Sequence, residues 1–268
     1  MKLDTSKFTN KKEMFDYLVK NKAELSEFKK TSLKFSDCLG ALPIESGIVK
    51  SLNTNHVDNL EAGIIKRTIV ANTYNWMDSH DDVHVDGIFA MSIKERGNKI
   101  WHLHDHEYKL TAKVGIPVSI YEKSVLWTDM GVNKAGSTMA LFMDSDIKKS
   151  LNDSMFDAYR NGEIDQHSVG MIYVKMDLAV NDPDYKEEFA TWNKYINSIG
   201  NKERAIEKGY FWAQKEAKLK EISAVLEGSN ELTPTLSNIQ SGKAAEVKES
   251  VSSARKVDYD YLTQHLKL

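Results

Sequence analysis

The chain has 268 residues, with 36 Lys and Arg against 39 Asp and Glu, which gives a formal net charge of −3. This balance supplies no field for non-specific attraction to nucleic acid or a membrane surface, so we expect neither as a partner. A hydrophobic content of 41% with 28% charged residues is typical of a globular protein. No apolar run approaches the ~20 residues that span a bilayer. The N-terminus lacks an apolar signal core, and the single cysteine, Cys38, cannot form an internal disulfide, so we expect a cytoplasmic protein in which Cys38 is a small buried residue.

Residues 1–60 are predicted to form an N-terminal extension that is partly helical. Asn10 and Glu13 have the spacing of a capping box, and Met14, Tyr17 and Leu18 then share one helical face. The first 30 residues carry eight lysines against five acids. This excess indicates a solvated helix face, with a dock for an acidic partner as the alternative.

The pattern changes near residue 64 to short runs rich in β-branched and aromatic residues. Strands are predicted at 65–74, 112–121, 125–130 and 138–143. A helix capped by Ser145 or Asp146 and ended by Gly162 should follow. Then come a strand at 166–177, a polar helical region at 185–218, a strand at 220–226 and a polar tail from Ser229. Because strands and helices mix without regular βαβ alternation, the pattern favours an α+β fold.

The histidines are the first candidates for chemistry. His102, His104 and His106 occupy every second position, which in a strand would place three imidazoles on one face, as in some zinc sites. The same run can instead supply one catalytic base. A second cluster, consisting of His80, Asp81, Asp82 and His84, would be able to hold a cation, although solvated loop charge is the simpler interpretation.

Ser168 is a candidate nucleophile, because Gly170 follows two residues later, where a backbone can approach a ligand closely. His167 is adjacent, but neighbouring side chains on a strand point to opposite faces, so the base must come from elsewhere. His106 is the candidate by elimination.

An acid that orients the histidine would complete a nucleophile, base and orienting group. Glu221 lies within an apolar strand pattern, where a buried carboxylate would need a partner. An exposed alternating position is the competing interpretation for Glu221. Asp105, Glu107 and Asp165 are alternative acids of similar standing.

Four segments stand out when they are taken in chain order: DDVHVDGIFAMSI, LHDHEYKLTAKVG, IDQHSVGM and LKEISAVLEGSNELTPTL. Together they resemble the prohead (capsid-maturation) serine proteases of tailed bacteriophages, whose fold is related to the herpesvirus assembly protease. The resemblance spans residues 64–236 and places the family's catalytic histidine on His106, its serine on Ser168 and a characteristic glutamate on Glu221. Three departures from the family pattern are Asp86 in place of proline, Glu107 in place of aspartate, and Gly228-Ser229 in place of Pro-Ala.

The resemblance implies an α+β fold with a mostly antiparallel, β-barrel-like core flanked by helices. It implies a prohead protease domain over residues 61–236 with a helical insertion at about 185–218, followed by a polar tail over residues 237–268. The implied activity is that of a serine endopeptidase without a cofactor or metal. Its implied substrates are the scaffolding protein, the scaffold domain of the major capsid protein, and the protease itself, inside immature proheads in the host cytoplasm. Self-association is an associated expectation. Asp165, and His167 through a Ser-His-His triad, are the fallbacks for the third catalytic residue.

Two rival functions accompany this hypothesis. The first is a non-catalytic capsid-assembly or scaffolding protein that keeps the protease fold. The second is a metal-dependent hydrolase that uses His102, His104 and His106.

Overall fold

The structure, a computed structural model, describes residues 5–31 and 54–236. Cys38 and the predicted tail over 237–268 lie outside the described residues. The helices are α1 (Lys11–Lys20), α2 (Lys22–Thr31), α3 (Ala90–Arg96), α4 (Asp153–Asn161), α5 (Lys186–Tyr195) and α6 (Lys202–Lys208). The strands are β1 (Ile64–Thr73), β2 (Asp82–His84), β3 (Trp101–His104), β4 (Lys113–Leu126), β5 (Ser137–Lys148), β6 (His167–Val180) and β7 (Tyr210–Ala224). In this part of the chain, no helix has the length and apolar character needed to cross a bilayer.

The strands form one mixed sheet, and the predicted α+β class is confirmed. Its order is β1-β5-β4-β3-β7-β2, with β6 paired to β7. The β1–β5, β4–β5, β3–β4 and β6–β7 pairs are antiparallel, whereas β2 and β3 both run parallel to β7. The strand path is open, so strand pairing alone does not produce the predicted barrel-like core.

The segment that follows β7 joins the two distant parts of this sheet. The backbone N–H of Val70 on β1 donates to the carbonyl of Pro234 at 3.0 Å. One residue earlier, the Thr233 hydroxyl accepts the N–H of His167, the first residue of β6, at 3.1 Å. Residues 233–236 therefore hold the start of β6 close to β1.

Several element boundaries differ from the predicted ones. The two predicted strands at 112–121 and 125–130 are one strand, β4, which ends at Leu126 before a 3₁₀ turn. Ser145 and Asp146 do not cap a helix, because they lie within β5. The side chain of Asn152 caps α4 instead, by accepting the N–H of Met155, and the predicted stop at Gly162 is confirmed by its left-handed conformation.

The polar region predicted to be helical over 185–218 is divided between two structures. Residues up to Lys208 form α5 and α6, but β7 begins at Tyr210, ten residues before the predicted strand. Its pairing with β6 runs from Tyr210 to Ala224. The long β6–β7 ribbon therefore replaces only the end of the predicted helical insertion, residues 210–218.

The N-terminal helices pack on this ribbon. Asn10 caps α1 as predicted, by accepting the N–H of Glu13 at 2.9 Å, while the Glu13 carboxylate accepts the N–H of Thr9. The apolar face of α1 contributes Met14, Phe15 and Leu18 to a cluster shared with β6 and β7. Tyr17, predicted to share the apolar face, is 40% exposed.

The lysine-rich helix α2 contacts acids of this chain. Lys29 is buried, and its Nζ lies 2.5 Å from Oδ1 of Asp82, which also accepts from Gln214 at 2.9 Å. Burial opposes ionisation of Asp82, but the Lys29 charge and these two donors outweigh it and lower the pKa. Lys22 similarly pairs with Glu188. The interpretation as a solvated helix face is therefore wrong for Lys29, which is buried.

The acidic loop cluster is also buried, which corrects its interpretation as solvated charge. Asp81 and Asp82 are each 1% exposed, and His80 and His84 are also buried. Asp81 accepts from the Tyr210 hydroxyl at 2.7 Å, and His84 Nδ1 lies 3.0 Å from Asn72 Oδ1. These side chains bond to protein groups of the fold, so the cluster functions as a polar core beneath α2.

Replacing Lys29 with methionine should destabilise the fold by about 3–5 kcal/mol, because Asp82 would remain buried without its counter-charge. The free energy of unfolding, measured by urea denaturation, provides the test. The matched control is Lys30→Met, since Lys30 pairs with Glu27 at the helix surface, and this substitution should change stability by less than about 0.5 kcal/mol. Equal effects of the two substitutions would contradict the buried pair.

Candidate active site

The register of the β6–β7 ribbon brings the candidate serine and glutamate together. Ser168 lies opposite Ser223, and Gly170 lies opposite Glu221. Directly opposed residues of an antiparallel pair project to the same face, and residues two apart on one strand do the same. Ser168, Ser223 and Glu221 therefore share one face at this end of the ribbon.

A tight turn after β3 brings His106 to that face. Asp105 and His106 both have left-handed backbones, with φ of 51° and 55°, and the N–H of Glu107 donates to the carbonyl of His104 at 3.1 Å. Two consecutive residues with positive φ inside a four-residue turn are the signature of a type I′ turn. The N–H of Asp105 donates to the carbonyl of Ala224, which fixes the turn against the end of β7. Non-glycine residues in this region carry strain that recurs at functional sites.

His106 and Glu221 form a short buried contact. Nδ1 of His106 lies 2.6 Å from Oε1 of Glu221, and the side chains are 8% and 0% exposed. Because a carboxylate only accepts, Nδ1 carries a proton, so the neutral form of this imidazole has its lone pair on Nε2. This is the tautomer in which Nε2 is able to act as a base. The predicted partnership of a buried Glu221 with His106 is thus present, and the exposed interpretation of Glu221 is wrong.

Ser223 adds two further hydrogen bonds to this pair. Its hydroxyl donates to Oε2 of Glu221 at 2.5 Å and accepts the backbone N–H of His106 at 3.2 Å. Glu221 thus receives one donor on each oxygen, which compensates its burial. The charge also affects the half-exposed Tyr108, because partial burial and the negative Glu221 raise the pKa of its phenol to about 12.

Gly170 provides the space for the carboxylate. A Cβ at this position would lie 2.0 Å from Oε1 of Glu221. The absence of a side chain across the ribbon therefore lets Glu221 lie over β6 and reach His106. The sequence analysis predicted that a ligand could approach the backbone at Gly170. In the structure, the side chain of Glu221 occupies that space instead.

Ser168 retains 6% exposure beside this constellation. Ser168 lies directly opposite Ser223 in the ribbon, where the Cβ atoms of paired residues are about 5 Å apart. The three residues proposed from the sequence, Ser168, His106 and Glu221, are therefore neighbours on one face of the fold. Chemically, this set has the parts of acyl-transfer catalysis: a hydroxyl, an imidazole of defined tautomer and a buried carboxylate.

Comparison with known proteins found no matching family model, curated protein or solved structure. The family resemblance therefore depends on the four sequence segments and their spacing.

The acid in contact with Nδ1 of His106 is Glu221, and the competing acids have other surroundings. Asp105 contacts His104 at 3.2 Å, and Glu107 pairs with Lys109 at 3.1 Å. Asp165 is exposed before β6.

The run of three alternate histidines does not share one face, because β3 ends at His104 and His106 belongs to the turn. His102 points into the core, with Nδ1 2.8 Å from the Ser145 hydroxyl and Nε2 3.1 Å from the Tyr159 hydroxyl. Within residues 5–31 and 54–236, no three His, Cys, Asp or Glu side chains are grouped as a metal site. The three-imidazole arrangement that motivates a metal hydrolase is therefore wrong.

His102 belongs to a buried hydrogen-bond chain on the opposite side of the ribbon. Tyr159 OH lies 2.8 Å from Nε2 of His167, whose Nδ1 lies 2.8 Å from the carbonyl of Thr233. Because that carbonyl only accepts, the direction of every bond follows. Ser145 donates to His102, His102 to Tyr159, Tyr159 to His167, and His167 to Thr233. His167 therefore faces away from Ser168, as strand alternation predicts, and its place in a Ser-His-His triad is not supported.

Burial in this chain lowers the pKa of His102 to about 3 and that of His167 to about 4, and burial also lowers the pKa of His84 to about 4. Below pH 6.5 these histidines bind protons in the unfolded chain but stay neutral in the folded protein. The free energy of unfolding should therefore fall as the pH is lowered from about 6.5 to about 4. Asp78 acts oppositely, since burial and the nearby Asp82 raise its pKa to about 6.

Three histidines lower the stability as the pH falls and one aspartate raises it, so the net effect is that of two titrating groups. We therefore expect a loss of about 2–3 kcal/mol per pH unit within this window. Urea denaturation at several pH values measures the slope. Asp78→Asn should steepen it by about 1.4 kcal/mol per pH unit, whereas a flat profile in the native chain would show that these histidines are not buried neutral.

The sequence analysis did not predict the contacts of Ser223 with Glu221 and His106, nor that Gly170 leaves room for the Glu221 carboxylate. A signal was available for Ser223, because it lies two residues after Glu221 and a strand places such a pair on one face. The space at Gly170 depends on the register between two strands, which the local sequence does not contain.

Proposed function

We propose that this protein is a serine endopeptidase of the phage prohead-protease type, with Ser168 as nucleophile, His106 as base and Glu221 as the orienting acid. The observation that carries the proposal is the contact of His106 Nδ1 with the buried carboxylate of Glu221, on the face that also bears Ser168. The four sequence segments support the choice of family. A herpesvirus-protease-like fold is part of the same proposal.

In the proposed reaction, Ser168 Oγ attacks a peptide carbonyl and its proton moves to Nε2 of His106. The C–N bond then breaks as Nε2 returns the proton to the leaving amine, and an acyl-serine remains. Water attacks the ester and gives a proton to Nε2. The acyl C–Oγ bond then breaks as Nε2 returns that proton to Oγ, which releases a carboxylic acid and restores the Ser168 hydroxyl. Glu221 keeps the imidazole in the required tautomer and stabilises the imidazolium.

The substrates in this proposal are the scaffolding protein, the scaffold domain of the major capsid protein, and the chain itself, cut within immature proheads in the host cytoplasm. These assignments rest on the family resemblance alone. The alternative function, a non-catalytic assembly protein, predicts that replacing Ser168 leaves the capsid subunit unchanged.

A fluorophosphonate reagent tests the nucleophile, since Oγ displaces fluoride at phosphorus only where a base accepts the serine proton. The native chain, both purified and co-expressed with a major capsid protein gene of the same genome, should carry one adduct on Ser168 by peptide mass spectrometry. Ser168→Ala should carry none and should leave the capsid subunit at its full mass. Ser145→Ala is the matched control, because it removes a buried serine hydroxyl on another strand.

The two functions give opposite results in this experiment. Identical capsid masses with native and Ser168→Ala chains, together with no adduct in either preparation, would establish the non-catalytic assembly protein. An adduct on a serine other than Ser168 would overturn the assigned nucleophile.

A further inference from the structure

Ser223 is the buried group that joins the two halves of the candidate site. It is 0% exposed on β7, opposite Ser168. Its hydroxyl accepts the backbone N–H of His106 and donates its own hydrogen to Oε2 of Glu221. The imidazole of His106 donates to the other oxygen of Glu221, Oε1. The carboxylate therefore contacts the side chain of His106 directly and its backbone N–H through the Ser223 hydroxyl.

We infer that Ser223 is a positioning residue of the proposed protease, a fourth member that fixes the geometry of His106 and Glu221. The inference rests on the proposed function. Ser223 is not a second nucleophile, because its single hydrogen is donated to a carboxylate rather than to an imidazole.

The need for such a group follows from the turn that carries His106. Asp105 and His106 both occupy the left-handed region, which costs energy for residues other than glycine. The bond from the His106 N–H to Ser223 stabilises this turn at the residue that bears the imidazole. On the other side, the bond to Oε2 stops rotation of the Glu221 carboxylate about its last torsion, so Oε1 stays directed at Nδ1. Small displacements of catalytic groups reduce rates steeply.

Ser223→Ala removes both bonds while leaving Ser168, His106 and Glu221 in the chain. We expect the maximal rate of inactivation by the fluorophosphonate to fall about 10- to 100-fold, as for loss of a hydrogen bond to a charged group. The reagent's half-saturating concentration should change less than about twofold, since Ser223 is fully buried. Ser223→Thr keeps the hydroxyl on a residue that strands favour and should recover most of the lost rate.

Two comparisons separate positioning from a general loss of packing. Ser145→Ala deletes another buried hydroxyl that bonds a histidine, so it should cost similar stability while leaving the inactivation rate unchanged. Thermal unfolding of all variants verifies folding. If Ser223→Ala does not fold, Ser223→Cys preserves the volume with a much weaker donor and should show the same selective loss of rate.

The outcomes distinguish this inference from the proposed function. An adduct on Ser168 in the native chain, with equal inactivation rates for native, Ser223→Ala and Ser223→Cys chains, would overturn the positioning role alone. An equal fall in rate for Ser223→Ala and Ser145→Ala would also overturn it, because the effect would then be one of stability. No adduct in the native chain would overturn the proposed function together with the inference.

Discussion

Replacing Glu221 with glutamine should slow fluorophosphonate inactivation of Ser168 by roughly 10³- to 10⁴-fold, the loss typical of the acid in a serine triad. The amide fits the same space and offers both an acceptor to His106 Nδ1 and a polar group to Ser223, so the fold should survive. What disappears is the negative charge that, in the proposed mechanism, stabilises the imidazolium when Ser168 loses its proton. Stopped-time labelling followed by mass spectrometry measures the rate.

The control for this substitution is Glu216→Gln on the same strand. Glu216 pairs with Lys175 across the ribbon at the surface, far along β7 from Glu221. Its loss should leave the labelling rate within about twofold of the native value, because exposed ion pairs contribute little. A Glu221→Gln chain that is labelled as fast as the native chain would remove Glu221 from the proposed mechanism.

Gly170→Ala should both inactivate and destabilise the protein. The new methyl would meet Oε1 of Glu221 at 2.0 Å, a distance that forces the carboxylate away from His106. Overpacking in a rigid core costs about 1–3 kcal/mol. Since the displaced carboxylate would also lose its donors, we expect a destabilisation near the upper end of that range, together with labelling of Ser168 as slow as in Glu221→Gln.

A double-mutant cycle isolates the contact. Glu221→Ala in the Gly170→Ala background removes the atoms that clash, so the two substitutions should be non-additive by about 1–3 kcal/mol in the free energy of unfolding. Activity should not return, because the acid is still missing. Additive losses of stability would contradict the placement of Glu221 over Gly170.

The candidate site could be predicted from the sequence to a considerable extent. The family resemblance selected Ser168, His106 and Glu221, and simple strand alternation separated His167 from Ser168. What the sequence did not contain was the turn at Asp105. The alternation of His102, His104 and His106 is typical of a continuous strand, and nothing local indicates that β3 ends at His104.

The errors in the fold share a physical cause. The residues AQKEAKLKE in β7 are good helix formers, and only pairing with β6 along the whole ribbon overrides that preference. Similarly, Ser145 and Asp146 resemble helix caps, but β5 continues to Lys148 because Ile64 of β1 pairs with it. The burial of Asp82 depends on Lys29, 53 residues earlier, and a local pattern does not contain such a contact.

The contact between His106 and Glu221 joins positions that are 115 residues apart. During synthesis, Ser168 and His106 leave the ribosome well before the strand that carries both Glu221 and Ser223. A nascent chain therefore holds its imidazole in no fixed orientation until nearly all of residues 54–236 have emerged. In the protease proposed above, this order of the elements along the polypeptide would delay hydrolytic competence until β7 has paired with β6.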